Sequence, residues 1–208
     1  MKMRWMIVPL GLAMLLAVKG FSAAEKDAGD AKFEATCPVS GKPAIESSFV
    51  EMKDGSKVYF CCENCPKAYK ADPKKFATKA NRQLLETGQI VEVACPLTGK
   101  PLNKEAMAEV GEADVHFCCK GCLAKFKAAD EDAQLEMVFG AAAMKKGFTH
   151  QTKCPVSGKP IDPAHFVEYK GQKVYLCCPN CPKAFEADPE KFVAKLPQFA
   201  KGAEEKKE

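Results

Sequence analysis

Twelve cysteines stand in 208 residues and fall into three groups of four, each a lone cysteine followed by a Cys-Cys-x-x-Cys run. The groups are Cys37 with Cys61, Cys62 and Cys65; Cys95 with Cys118, Cys119 and Cys122; and Cys154 with Cys177, Cys178 and Cys181. Thiolates gathered this way are ligands for a soft metal ion. Four suit tetrahedral Zn²⁺ in a closed, structural site, and two or three suit Cu(I) in a site that can take up and hand over its ion. Two other chemistries use the same residues. An even number of cysteines permits disulfides, but the run forces either a vicinal bridge or a small strained ring, and disulfide geometry is demanding. Cys62-x-x-Cys65 is a redox motif only in a thioredoxin-like βαβ setting, which the sequence lacks. The spacing therefore favours metal over a disulfide framework and over switchable thiols.

No other residue type competes for this role. His116 lies two before Cys118 on an expected strand and reads as a strand histidine rather than a ligand. His150 and His165 have no counterparts in the other copies, and Met52, Met107, Met137 and Met144 are scattered. Tyr59, Tyr175, Phe60 and Phe117 are explained by strand packing. No Ser-His-Asp set, paired catalytic carboxylates or phosphate-cradling glycine loop occurs, so an enzyme is not expected.

The cysteines are positioned by a repeat. CPVSGKP at Cys37 returns as CPLTGKP at Cys95 and CPVSGKP at Cys154, with offsets of 58 and 59 residues. FCCENC, FCCKGC and LCCPNC follow in step. Cys-Pro-x-Ser/Thr-Gly-Lys-Pro is turn chemistry. A hairpin is expected next: in copy one over 49–52 and 57–60 around Asp54-Gly55, in copy three over 167–169 and 174–176 around Lys170-Gly171. In copy two, 109–117 reads as a less regular hairpin. A strand leads in over 90–93. Helices start at the last cysteine of each group, with Pro66 and Pro182 in the first turn. That start places Cys65, Cys122 and Cys181 where the helix N-terminus favours thiolate. Asp72-Pro73 and Asp188-Pro189 break these helices and cap a second, whose Phe76 and Phe192 pack back. Copy two has Leu123 for the proline and Asp130-Glu131-Asp132 for the Asp-Pro step, and is expected to pack differently at its end. The linkers 77–89 and 140–147 are long enough for helices. Each copy is too small for a sufficient core of its own and needs a staple or a neighbour.

The ends of the chain read as address and tail. Lys2 and Arg4 precede an apolar run of 13 residues, 6–18, and Ser22-Ala23-Ala24 offers a cleavage site. The expectation is a signal peptide over 1–24, a linker over 25–32 and a secreted or periplasmic mature chain. No membrane attachment is expected after cleavage. Without Lys2, Arg4 and Lys19 the net charge falls from +4 to +1, with no basic stripe for nucleic acid. Modules are expected over 33–80, 90–138 and 148–197, with a charged tail over 198–208.

Cysteine turn, hairpin, Cys-x3-Cys and helix together resemble the YHS/TRASH-like domains, small treble-clef-like modules associated with heavy-metal handling. The resemblance rests on the glycine turn, the Val-Tyr-Phe-Cys strand end, Cys61-x3-Cys65, and the Phe/Tyr…Asp-Pro-x-Lys-Phe helix, and it spans all three copies. It implies a small α+β fold and makes Cys61, Cys118 and Cys177 ligands together with Cys65, Cys122 and Cys181. Cys37, Cys95 and Cys154 are third candidates, and Cys62, Cys119 and Cys178 stay open, since neighbours on an extended chain point apart. Where related modules often carry a cysteine inside the glycine turn, this chain has Ser40, Thr98 and Ser157. The implied partners are metal ions, Zn²⁺ or Cu(I), and a protein partner of unknown identity. Two alternatives stay beside metal handling: a structural or interaction repeat, and a thiol redox protein.

Overall fold

The computed structural model describes residues 33–200. The expected signal segment 1–24, the linker 25–32 and the tail from 201 onward lie outside the described residues. The three cysteine turns fold alike because each closes on its own backbone. Gly41, Gly99 and Gly158 donate their N–H to the carbonyl of Cys37, Cys95 and Cys154 at 2.9, 2.7 and 2.8 Å. The same cysteines donate to Lys42, Lys100 and Lys159 at 2.8, 2.9 and 2.7 Å. Such a tight loop needs a left-handed residue, and the three glycines sit at φ 73, 71 and 75°.

Each turn feeds an antiparallel hairpin: β1 (Ile45–Glu51) with β2 (Lys57–Phe60), β4 (Asn103–Val110) with β5 (Ala113–Phe117), and β7 (Asp162–Tyr169) with β8 (Gln172–Leu176). The first strands begin earlier than the sequence suggests, because each crosses an irregularity and resumes pairing, at Ile45/Phe49, Asn103/Met107 and Asp162/Phe166. The copy-two hairpin is as regular as that of copy three, against expectation. Its alternation is carried by small residues, Ala106, Ala108 and Val110 facing inward, and Gly111 at φ 67° turns the chain. The lead-in strand is shorter than expected: β3 (Val91–Glu92) pairs with β6 (Phe148–Thr149), tying the start of copy two to the start of copy three.

Helices follow the cysteine runs. In copy one, α1 (Asn64–Ala71) ends at Asp72, whose carboxylate accepts from the Lys75 N–H at 3.3 Å and starts a 3₁₀ turn over Pro73–Phe76. The linker continues as α2 (Ala77–Glu86). In copy two, α3 (Lys120–Lys127) begins earlier relative to its last cysteine, because the Leu123 N–H donates to the Cys119 carbonyl at 3.2 Å. Proline at that position in the other copies has no N–H to give. Asp130 then caps α4 (Glu131–Phe139) through the Ala133 N–H at 2.9 Å, and the second linker forms α5 (Ala141–Gly147). Copy three carries α6 (Cys181–Ala187), α7 (Glu190–Val193) and α8 (Pro197–Ala200), with Asp188 accepting from the Lys191 N–H at 3.4 Å.

The copies do not share one core equally. Phe60, Tyr69, Leu84, Phe117, Val138 and Phe139 belong to a continuous cluster across copies one and two, where α2 packs on α4 and Asn81 donates to the Phe139 carbonyl at 2.8 Å. Copy three has a separate, smaller core around Val174, Leu176, Phe185 and Leu196. Phe192 packs on Phe185 with ring centroids 6.0 Å apart, and Phe76 lies against Tyr69 at 6.4 Å, as the Asp-Pro-x-Lys-Phe pattern predicts. Among the described residues no helix is long and apolar enough to cross a membrane. The architecture is a small α+β fold of short hairpins and helices carrying three like cysteine clusters.

Candidate metal centres

Each module brings its turn cysteine and two run cysteines together. Cys37, Cys61 and Cys65 form one triad, Cys95, Cys118 and Cys122 the second, and Cys154, Cys177 and Cys181 the third, with all sulfurs in a triad within 4.8 Å of one another. The hairpin does this: the turn holds the first sulfur at one end, and the strand end and helix start return the others to it. Along the run, Sγ–Sγ separations are 3.7 Å for Cys61–Cys65 and 3.6 Å for both Cys118–Cys122 and Cys177–Cys181. Ligands about 2.3 Å from a tetrahedral zinc stand about 3.8 Å apart, and about 4.0 Å in a trigonal site. The residues present fit such an ion. The same spacing is far beyond the roughly 2.05 Å of a disulfide bond.

The remaining cysteines lie at the edge of the triads. Cys62 Sγ is 3.4 Å from Cys65 Sγ, and Cys178 Sγ is 3.4 Å from Cys181 Sγ. Cys119 Sγ lies 3.9 Å from that of Cys118. Burial is graded across each cluster. Cys37, Cys95, Cys154, Cys65 and Cys181 are buried, Cys61, Cys118, Cys122, Cys177 and Cys178 are half-exposed, and Cys62 and Cys119 are exposed.

Electrostatics within the sulfur sets departs from the simple helix-dipole expectation. Burial pushes the Cys65 and Cys122 thiols up, with the neighbouring cysteine sulfurs adding to it, to about 12 in each, and Cys181 rises for the same reasons. A second thiolate beside an existing one is opposed. The turn cysteine is lowered instead. Burial opposes the charge on Cys37, but the Ser40 hydroxyl and the N–H groups of Ser40, Cys61 and Val39 outweigh it and bring the thiol down to about 7. Cys95 and Cys154 reach about 7 by the same balance, through Thr98 and Ser157. The helix N-terminus does favour a thiolate, but on the exposed cysteine. The Cys65 N–H foremost, then the Cys65 thiol and the Asn64 N–H, lower Cys62.

Residues that the sequence did not assign to the site complete the surroundings. Ser40, Thr98 and Ser157 place their hydroxyls 3.0, 3.3 and 3.1 Å from the sulfurs of Cys61, Cys118 and Cys177. The turn position where related modules often carry cysteine therefore does face the cluster here. A buried polar side chain pins the strand residue two before each cysteine pair. Gln83 accepts from the Tyr59 N–H at 2.7 Å and donates to the Tyr59 and Thr36 carbonyls at 2.8 Å. Gln151 accepts from the Tyr175 N–H at 3.0 Å and donates to the Tyr175 and Lys153 carbonyls. In copy two the counterpart is Glu92, which accepts from the His116 N–H at 2.9 Å and lies 3.1 Å from His116 Nδ1. Glu92 and Gln151 each stand three residues before the first cysteine, and Glu92, a polar residue in the otherwise apolar run 90–93, was the available signal. Copy one draws its glutamine from α2 instead, which hides the correspondence. His116 belongs to no triad, and His150 and His165 lie beside Asp54 and Asp162 at 3.5 and 3.9 Å. Comparisons of the chain with protein-family models, with curated proteins and with solved structures gave no match.

Proposed function

We propose that this is an extracytoplasmic, non-enzymatic metal-binding protein with one YHS/TRASH-like, treble-clef-like site per module. Each site takes a thiophilic ion, Zn²⁺ or Cu(I), and the protein serves in binding, buffering or delivery of that ion. The observation that carries the reading is the recurrence of one sulfur arrangement in three modules, at 3.6–3.7 Å between the run cysteines. A buried turn thiol lowered to about 7 gives each site an anchor. The signal-like N-terminus supports export. The test is metal content by mass spectrometry together with thiol counting, on protein recovered from its compartment without chelator. Three equivalents of zinc or copper, with thiols reacting only once the ion is stripped, support the reading. No metal, and thiols that react only after a reductant is added, overturn it in favour of disulfide staples.

A second reading has an observation of its own. Phe49, Met107 and Phe166 occupy the same register position in the three hairpins and are 41–42% exposed. A repeated apolar position on the outer face suits a structural or interaction repeat in which the ions only staple three partner-binding surfaces. Zinc that resists removal by strong chelators favours that role, and Cu(I) that passes freely to a competing ligand favours handling.

A further inference from the structure

The second cysteine of each Cys-Cys step lies against a triad from its outer side, exposed in copies one and two and half-exposed in copy three. At the closed end stand Cys37, Cys95 and Cys154, 0, 0 and 1% exposed. Cys65 and Cys181, at 7 and 6%, are nearly as enclosed. Cys62 and Cys119 are exposed and Cys178 is half-exposed, yet each keeps its sulfur within 3.4–3.9 Å of a triad sulfur. These cysteines stand outside the sets that can share one ion with the turn cysteine. A group packed to staple the fold would be enclosed like the turn cysteines, with Cys61, Cys118, Cys122 and Cys177 half-exposed between the two extremes. A bystander would not recur beside the cluster in three copies whose other surface residues have diverged, such as Glu63, Lys120 and Pro179 immediately after it.

We propose that Cys62, Cys119 and Cys178 are exchange ligands, through which an ion enters its triad and leaves it for a thiol-bearing acceptor. The inference rests on the metal-binding reading above. In the outward step the exposed thiol loses its proton to water and its sulfur bonds to the ion. The bond from one triad sulfur breaks, and that sulfur takes up a proton. An acceptor thiolate then bonds to the ion as the next triad sulfur leaves, until the ion is held by the acceptor and the module has regained its protons. Charge and protons balance without any oxidant or reductant. The buried turn cysteine, enclosed on all sides, is the last to let go.

The test uses the full mature chain loaded with zinc, and a variant carrying Cys62→Ser, Cys119→Ser and Cys178→Ser. Bound zinc is counted by native mass spectrometry, and transfer is followed after mixing with excess 2,3-dimercaptopropanol as the dithiol acceptor. The expected result is three zinc ions on both proteins, with transfer slowed about tenfold or more in the variant because an entering ligand that lowered the barrier is gone. Equal transfer rates with full occupancy overturn the exchange role alone. Fewer than three ions on the variant, with three on the parent, also overturn it by making these cysteines resident ligands. A parent chain that holds no ion at all removes the metal-binding reading, and the exchange role with it. Cys61→Ser in the parent, which removes a triad member, should lose one equivalent and calibrates the count.

Discussion

Glu92 makes copy two respond to pH in a way its neighbours do not. Burial raises its carboxyl from 4.5 to about 8, the His116 N–H pulls it down, and the Cys95 thiolate pushes it up. An acid whose folded value is raised holds a proton in the folded state that the unfolded chain gives up. Its stability is fully present below about 4.5 and is lost progressively as pH climbs to about 8. At about 1.4 kcal/mol per unit the shift sets a ceiling near 5 kcal/mol, and relaxation of the protein and water around the buried charge reduces the expected loss to about 1–3 kcal/mol. Glu92→Gln removes the titration and installs the group that Gln151 already supplies at the matching position in copy three. The variant and parent should be compared by urea denaturation of the metal-loaded chain between pH 6 and 9, where thiolate ligation persists. Hydrogen exchange at the β5 amides should be followed alongside. The two proteins should differ least at pH 6. By pH 9 the variant should be more stable by about 1–3 kcal/mol, with slower exchange at β5. Parallel curves for the two, or a variant that is weaker at pH 9, would refute a buried, proton-holding Glu92.

Gln83→Ala should cost about 2–4 kcal/mol in urea denaturation, because it strips the Tyr59 N–H and the Tyr59 and Thr36 carbonyls of partners supplied by a fully buried side chain; a cost under about 0.5 kcal/mol would contradict that role. Gly158→Ala meets no atom within 4 Å, so its effect should be the backbone strain alone at φ 75°, about 1–2 kcal/mol in the same assay, and a neutral alanine would contradict the left-handed turn. Chelating the ions should release hydrogen-exchange protection in β7 and β8 before β1, β2, β4 and β5, since copy three alone lacks a shared core; simultaneous release would contradict that division.

The parts of the fold that the sequence makes plain are those fixed by neighbouring residues. The Cys-Pro-x-Ser/Thr-Gly turn, the Asp-Gly hairpin, the proline in the first turn of α1 and α6, and the Asp72 and Asp188 caps are all local chemistry, and the structure places them where their residue types demand. The triads follow as soon as turn and hairpin are joined. What the sequence hides is tertiary. Nothing in 77–89 announces that Gln83 reaches back to Tyr59, because the side chain serving that role in the other copies comes from the lead-in strand. The pairing of Val91 and Glu92 with Thr149 and Phe148 joins segments more than 50 residues apart. The copy-two hairpin is disguised by alanines, whose burial carries little hydropathy signal. The ranking of the thiols depends on which amide groups converge on which sulfur, and a helix-dipole argument alone selects Cys65 where the structure favours Cys37 and Cys62.

Fold and site are coupled most tightly where the core is thinnest. In each module the ion would join a turn cysteine to a strand-end cysteine 23 or 24 residues later, closing one loop around the hairpin. Loop-closure entropy is nearly the same for loops so alike in length, so ligation restricts the unfolded chain about equally in all three. The consequences differ because the alternatives differ. Copies one and two bury Phe60, Phe117 and Phe139 in a common cluster and keep that apolar contact whether or not the sulfurs share an ion. Copy three has its own small cluster, with Cys154 and Cys181 among its buried residues, and is joined to copy two by two antiparallel residue pairs and by Phe148 stacked on Phe139. Triad cysteines pack in both cores, Cys37, Cys65 and Cys95 in the larger one, but they make up a greater share of the smaller, so binding free energy becomes folding free energy to a larger extent there. One repeated sulfur arrangement can thus give an ion that mainly occupies a preformed site in the first two modules and an ion that organises its module in the third.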